Sequence, residues 1–145
     1  MEADVWGPTA EGLAISISVA KKEYRAVGPI ILNLALKNVS KRPTPIAVRS
    51  AWADYAVRVW FEGQGEVLKT EFARTAIETA NEGRRMSVEL QPAQIQSDSL
   101  DISKGFDLSR PGVYSVTATR ETFKLGNTSE FAAVTSNILI IRIVP

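Results

Sequence analysis

Asp98, Asp101 and Asp107 lie close together in the chain, and Glu121 and Glu130 follow them on either side of a long connection. A carboxylate pair is the first chemistry these residues could perform, since glycoside cleavage needs two acids about 5–10 Å apart across a cleft. The plainer reading is that they are solvent-facing and turn-capping acids. Calcium is a second use of the three aspartates, but their spacing does not follow a calcium-loop pattern and lysine and arginine stand nearby. Ser103-Lys104 contains the residue types of a Ser-Lys dyad, yet adjacent residues of a strand point to opposite faces. The rest of the catalytic inventory is empty. With neither histidine nor cysteine in 145 residues, Ser-His-Asp triads, Cys-His dyads and ordinary zinc sites disappear together. The chain also lacks a Gly-x-Gly-x-x-Gly motif and a phosphate loop. The expectation is a protein that is not an enzyme, with no cofactor and no metal.

Binding chemistry is better represented. Alternation places Trp60 on the outer face of a strand beside Arg58 and Glu62, and an exposed tryptophan with an arginine has the composition of a contact hot spot. The competing reading, preferred on the sequence, lays residues 73–83 or Val5-Trp6 over the Trp60 ring. Trp52, in a connection before a strand, reads as a core plug, and Trp6 fits either role. The tripeptides Asn38-Val39-Ser40 and Asn127-Thr128-Ser129 match the glycosylation sequon, but both asparagines have turn reasons to be where they are.

The elements that would hold these groups follow a period of two. Leu13, Ile15, Ile17 and Val19 alternate with small or polar residues, as do Leu32, Leu34 and Leu36 after Gly28-Pro29. Residues 38–45 carry the breakers Ser40, Pro43 and Pro45, and 46–48 form a short strand. Tyr55, Val57, Val59 and Phe61 face inward, then Gly63-Gln64-Gly65 turns the chain. Met86, Val88 and Leu90 alternate up to Pro92, and 95–102 is polar on one side. The β-branched run 113–119 reads as a central strand. Residues 121–135 read as a long hairpin connection with Gly126-Asn127 at its tip, before a last strand over 137–144. Only 73–83 is unlike a strand, and it is expected to be a loop with some helix. About seven to nine short strands with turns between them define an all-β, immunoglobulin-like antiparallel two-sheet Greek-key sandwich, one domain over 1–145.

Several motifs support that architecture. The stretch Glu23-Tyr24, Gly28-Pro29-Ile30, Leu32-x-Leu34-x-Leu36-x-Asn38-x-Ser40 and Pro43 is similar to the second strand of bacterial immunoglobulin-like domains. Leu108-Ser109-x-Pro111-Gly112-x-Tyr114-x-Val116 is similar too. With Asp54-Tyr55-x-Val57, Gly65-x-Val67-Leu68 and Leu90-x-Pro92, the chain most resembles the bacterial intracellular proteinase inhibitor (BsuPI-like) family, and it also resembles macroglobulin-type and fibronectin-type sandwiches. That resemblance implies inhibition through an exposed loop, for which 74–79 and 122–131 are the available segments. Ala93 stands where the family pattern has glycine. In residue terms, Tyr114 can bury its ring near a corner while its hydroxyl reaches the backbone, and Asn38 can satisfy backbone groups where a strand ends.

Bulk properties narrow the partners. Seventeen basic and sixteen acidic residues give a net charge of +1, too little to attract nucleic acid or an anionic membrane. The pairs Lys21-Lys22, Lys41-Arg42 and Arg84-Arg85 read as solvated turn charges. No run approaches the ~20 apolar residues of a membrane span. The reading is therefore a non-catalytic protein-binding or spacer module, with a proteinase inhibitor and a carbohydrate-binding module as alternatives. Its expected partner is protein, not nucleic acid, with no membrane insertion, and it is a monomer or weak homo-oligomer. Compartment is undetermined by composition. The exterior of the cytoplasm is favoured because the chain begins just before its first strand and stops after its last.

Overall fold

The computed structural model describes residues 5–83, 85–124 and 127–145, with only the backbone at 127 and 128. Its architecture is all-β and sandwich-like. Among the described residues eleven strands, β1(Leu13–Ser18) to β11(Leu139–Val144), are joined by three helical segments. β1, β3(Ile31–Asn38) and β8(Ile95–Asp101) form one antiparallel sheet in the order β1-β3-β8. A larger sheet has the order β2-β11-β9-β5-β6, from β2(Glu23–Arg25), β5(Ala56–Phe61), β6(Gly65–Val67) and β9(Gly112–Lys124). β10(Asn127–Thr135) also pairs with β9, and β4(Thr44–Val48) pairs with β7(Met86–Leu90) as a separate ladder.

The core is what the alternation promises. Leu13, Ile15 and Ile17 of β1 and Leu32, Leu34 and Leu36 of β3 are buried, and they share one apolar cluster with Val57, Val59, Tyr114, Val116 and Ile141 of the larger sheet. Burial of each such side chain contributes roughly 1.5–3 kcal/mol, so the pleat itself chooses the buried face. β9 is the central strand. Its first half is flanked by β11 and β5 and its second half by β10.

Two expectations about strands are corrected. Residues 121–135 are no irregular connection: β9 continues to Lys124 and β10 runs back against it. Of the expected tip, Gly126 lies outside the described residues, as does Arg84 of the basic pair 84–85. The Lys21–Glu23 turn region also leads into a strand, because β2 pairs in parallel with β11. Among the described residues that is the one parallel pair in a set expected to be antiparallel, and β2 and β6, each three residues long, account for strands too short to show a period.

Residues 73–83 are corrected as well. Residues 73–82 belong to α2(Glu71–Glu82), a twelve-residue helix whose N-cap Thr70 accepts from the Ala73 N–H and whose C-cap is Gly83. Ala73, Ala76, Ile77 and Ala80 are its less exposed positions, spaced as one helical face. α2 packs on α1(Ala51–Asp54) and α3(Ile102–Gly105). Trp52 of α1 is the plug between them, edge-on to Phe72 with ring centroids 6.5 Å apart and tilted against Phe106 at 6.3 Å. A Cβ on Gly105 would meet the Trp52 ring at 2.0 Å, so only glycine fits beneath the indole. No helix among the described residues is long and apolar enough to cross a membrane.

Side chains take over where ladders change. Asn38 is fully buried at the end of β3. Its Nδ2 donates to the carbonyls of Arg42 (2.7 Å) and Leu90 (2.8 Å), and its Oδ1 accepts from the N–H and hydroxyl of Ser40. One amide thus ties the β3/β8 ladder to the β4/β7 ladder. Ser136 and Asn137 interrupt what is otherwise a continuous run of β10 into β11. The Ser136 hydroxyl accepts from the Ala118 N–H, while Asn137 both accepts from and donates to the backbone of Ile17 in the opposite sheet. Tyr114 buries its ring, stacks on Phe61 at 4.5 Å and donates its hydroxyl to the Arg110 carbonyl at 2.7 Å.

Candidate functional site

Trp60 sits on the outer face of β5, half-buried, with Glu66 of β6 on one side in register and Ser115 of β9 on the other. Continuing across β9, Ser115 is paired with Ile140 of β11. This gives a row Ile140–Ser115–Trp60–Glu66 across the sheet. Arg58 lies two residues away on the same face, and its guanidinium stacks on the Trp60 ring, 4.7 Å from the centroid. A two-pronged bond to Glu66 holds it there, Nε to Oε2 at 3.0 Å and Nη2 to Oε1 at 2.7 Å. The hydrogen bond from Arg58 keeps the Glu66 carboxyl below its ordinary range, and Glu66 in turn raises Arg58. Sequence reasoning placed Trp60 beside Arg58 and Glu62. Glu62 lies past the end of β5, where its N–H donates to the Val113 carbonyl.

The two segments expected to cover Trp60 lie elsewhere. α2 packs on α1 and α3. Val5 accepts from the Ser16 hydroxyl, and Lys37 lies over the Trp6 ring, which places that segment on the β1-β3 sheet. On the same face, two strands away across Ser115, Ile140 is 53% exposed, and Ile138, 69% exposed, lies just before β11. Large aliphatic side chains left this open on the sheet face that carries an aromatic ring are the composition of a contact surface.

A second polar cluster is buried, and sequence reasoning missed it. Arg120 is only 4% exposed. It lies on the face of β9 that also presents Tyr114, Val116 and Ala118 inward. Its Nη2 donates to the Ala47 carbonyl at 2.6 Å, its Nη1 stands 4.0 Å from Asp54 Oδ2, and its guanidinium lies over the Tyr55 ring at 5.0 Å. Both Asp54 oxygens accept from the Arg49 N–H. Asp98 faces the same interior from β8, and burial raises its carboxyl above the ordinary range, Arg120 opposing the shift and Asp54 adding to it. Burial likewise pushes the Tyr55 hydroxyl up to about 12. Tyr55 Oη, Asp98 Oδ2, Arg120 Nη1 and Thr122 Oγ1 are buried without hydrogen-bond partners. The available signal was parity. Counting in twos from Tyr114 reaches Arg120 and Thr122, and counting back from Leu100 reaches Asp98.

The other acids have structural jobs. Asp101 caps α3, its Oδ1 accepting from the N–H and hydroxyl of Ser103 and from the Ile30 N–H. Asp107 holds a turn through the N–H and hydroxyl of Ser109. The three aspartates therefore do not converge, and no cluster of metal-binding side chains occurs among the described residues. Glu130 pairs with Lys124 at 3.3 Å. Ser103 bonds Asp101 while Lys104 lies over the Phe72 ring, so the two do not form a dyad. Of the two segments considered for protease contact, 74–79 is inside α2, and the described part of 122–131 belongs to the paired strands β9 and β10.

No family model and no curated protein sequence matches the chain. Among solved structures it is similar to a β-glucosidase, EmGH1 of Erythrobacter marinus, at 10% identity and a TM-score of 0.44, over 91% of this chain and 15% of that one. It is also similar to ycdA of Bacillus subtilis, described as a lipoprotein, at 14% identity and a TM-score of 0.41, over 92% of this chain and 38% of that one. The chain spans less than half the length of either protein, and likeness at this level carries no argument about activity.

Proposed function

We propose that the chain is a non-catalytic protein-binding module whose contact surface is the outer face of the large sheet around Trp60. The observation that supports this is the fixed stack of Arg58 on Trp60, held by Glu66, with exposed Ile140 on the same sheet face and Ile138 just before β11. A guanidinium already positioned loses little side-chain entropy on binding, which is the character of an interface anchor. Carbohydrate binding has less support, because a sugar platform needs an open ring face and Arg58 lies over this one. Proteinase inhibition has the resemblance behind it but lacks a free loop at 74–79, which is helical. Tagged wild type and Trp60→Ala, each checked for folding, would be used to capture and crosslink partners from native extract. A genuine partner loses at least about 2 kcal/mol of affinity, roughly thirty-fold, on truncation of a central anchor. Equal binding of that partner to wild type, Trp60→Ala and Arg58→Ala would overturn the reading.

A further inference from the structure

A cleft of about 110 Å³ opens between β4, α1 and the β9–β10 hairpin, away from the Trp60 face. Its buried lining includes Arg120 and Thr122, and its edge carries the exposed Arg49 and Arg85. Asp54 and Glu121 also line it, and Asp98 acts on Arg120 from β8. The carboxylates therefore balance the guanidinium groups over the whole cluster, while the exposed positive charge is concentrated at the mouth on Arg49 and Arg85. Ile46, Phe123 and Phe131 supply apolar wall, the two phenylalanine rings being 5.1 Å apart.

From this arrangement we infer that the cleft binds the carboxylate of a monoanionic ligand with a short apolar body. Arg120 Nη1 and Thr122 Oγ1 are both buried with their hydrogen-bonding capacity unused. Leaving such a buried donor unpaired costs about 1–3 kcal/mol. Asp54 offsets that cost only in part, since its Oδ2 stands 4.0 Å from Nη1, an ion pair beyond hydrogen-bond reach. The Arg49 side chain is itself steadied at the rim, where Nη1 donates to Asn81 of α2 at 2.9 Å. A carboxylate is the anion that fits the charge. Its single negative charge meets Arg49 and Arg85 at the mouth, whereas a doubly charged phosphate would be repelled by Asp54 and Glu121 at close range. Guanidinium and hydroxyl donors meet its oxygens with charge-assisted bonds, and the hydrocarbon part lies against Ile46 and the phenylalanines. Two sources share this chemistry: a small free acid, and the C-terminal residue of a peptide.

The test is an amide-resolved NMR titration of the full chain with sodium butyrate, with butyramide as its uncharged twin, and with a leucine-terminated tripeptide bearing a free or amidated end. Saturable shifts at Ala47, Asp54 and Arg120 with the acids, and none with the amides, are expected. Tighter binding of the free tripeptide than of butyrate identifies a peptide end, and equal binding identifies a small acid. The double variant Arg49→Gln/Arg85→Gln at the exposed rim, checked for folding, is expected to weaken binding about ten-fold. Thr122→Val, similar in shape, weakens it without touching the rim. Absence of saturable shifts with both acids, equal binding of butyramide, or undiminished affinity in both variants would overturn the inference.

Discussion

The Arg120 guanidinium lies 5.0 Å from the centroid of the Tyr55 ring, while the Tyr55 hydroxyl has no hydrogen-bond partner. The ring is therefore well used and the oxygen is not. Tyr55→Phe keeps the cation–π contact and removes a buried polar atom. Stability at neutral pH should be unchanged or higher by up to about 1 kcal/mol in urea unfolding. The hydroxyl's folded value, about 12, lies above its ordinary 10.0. Its contribution is thus present below 10.0 and is lost as pH rises through about 12. Tyr55→Phe should move the midpoint of alkaline unfolding upward, and a lower midpoint would contradict this account.

Asp98 makes the corresponding prediction in acid. Because burial raises its carboxyl, the folded state holds that proton more tightly than the unfolded chain, and stability falls as pH rises from its ordinary 3.8 through the raised value. Asp98→Asn should melt higher than wild type at neutral pH, with the gap closing as the acid is titrated. Thermal melts across that range decide it. A neutral-pH melting point below wild type would mean that Arg120 needs Asp98 as well as Asp54.

Asn38→Ala removes four hydrogen bonds at once and leaves the Leu90 carbonyl without its side-chain donor. The expected loss is about 2–4 kcal/mol, measured by denaturant unfolding. Asn38→Asp should not rescue it, since both donors are gone and a charge is buried. A loss below 1 kcal/mol, on the scale of about one ordinary hydrogen bond, would show that the two ladders are aligned by other means.

Ala93 has φ 67°, in the left-handed region, while its N–H donates to the Asn38 carbonyl. A side chain there costs roughly 1–2 kcal/mol, partly offset by the greater freedom of glycine when unfolded. Ala93→Gly should therefore stabilise by about 0.5–1 kcal/mol and raise Tm by a few degrees. A fall in Tm would mean that the backbone relaxes around alanine without strain.

Much of this fold was legible because a half-buried strand writes its burial directly into alternate residues. β1, β3 and β5 show it, and so do the Tyr114 corner and the Asn38 strand end. α2 was misread because its inner face is built largely from alanine, which marks a helix by propensity more than by hydrophobic contrast. β10 was misread because Ser129, Glu130, Ala132 and Ala133 offer little alternation in an element stabilised by pairing with β9. The Trp60–Arg58 face was readable from parity, but the choice of Glu66 over Glu62 depends on a hairpin register that spacing alone does not fix. Arg120 and Asp98 were hidden for the opposite reason: charged residues at inward positions break the hydrophobic pattern used to find those positions.

The clasp of Asn137 on Ile17 and the pairing of β2 with β11 also govern how the protein is made. β2 finds its partner β11, and Ile17 its clasp at Asn137, only about 120 residues further along the chain, so the larger sheet is complete only after β11 has been made. Until then β2 has no strand beside it, a period of exposure to nascent-chain chaperones and to neighbouring chains on the same messenger. Slower translation lengthens that exposure.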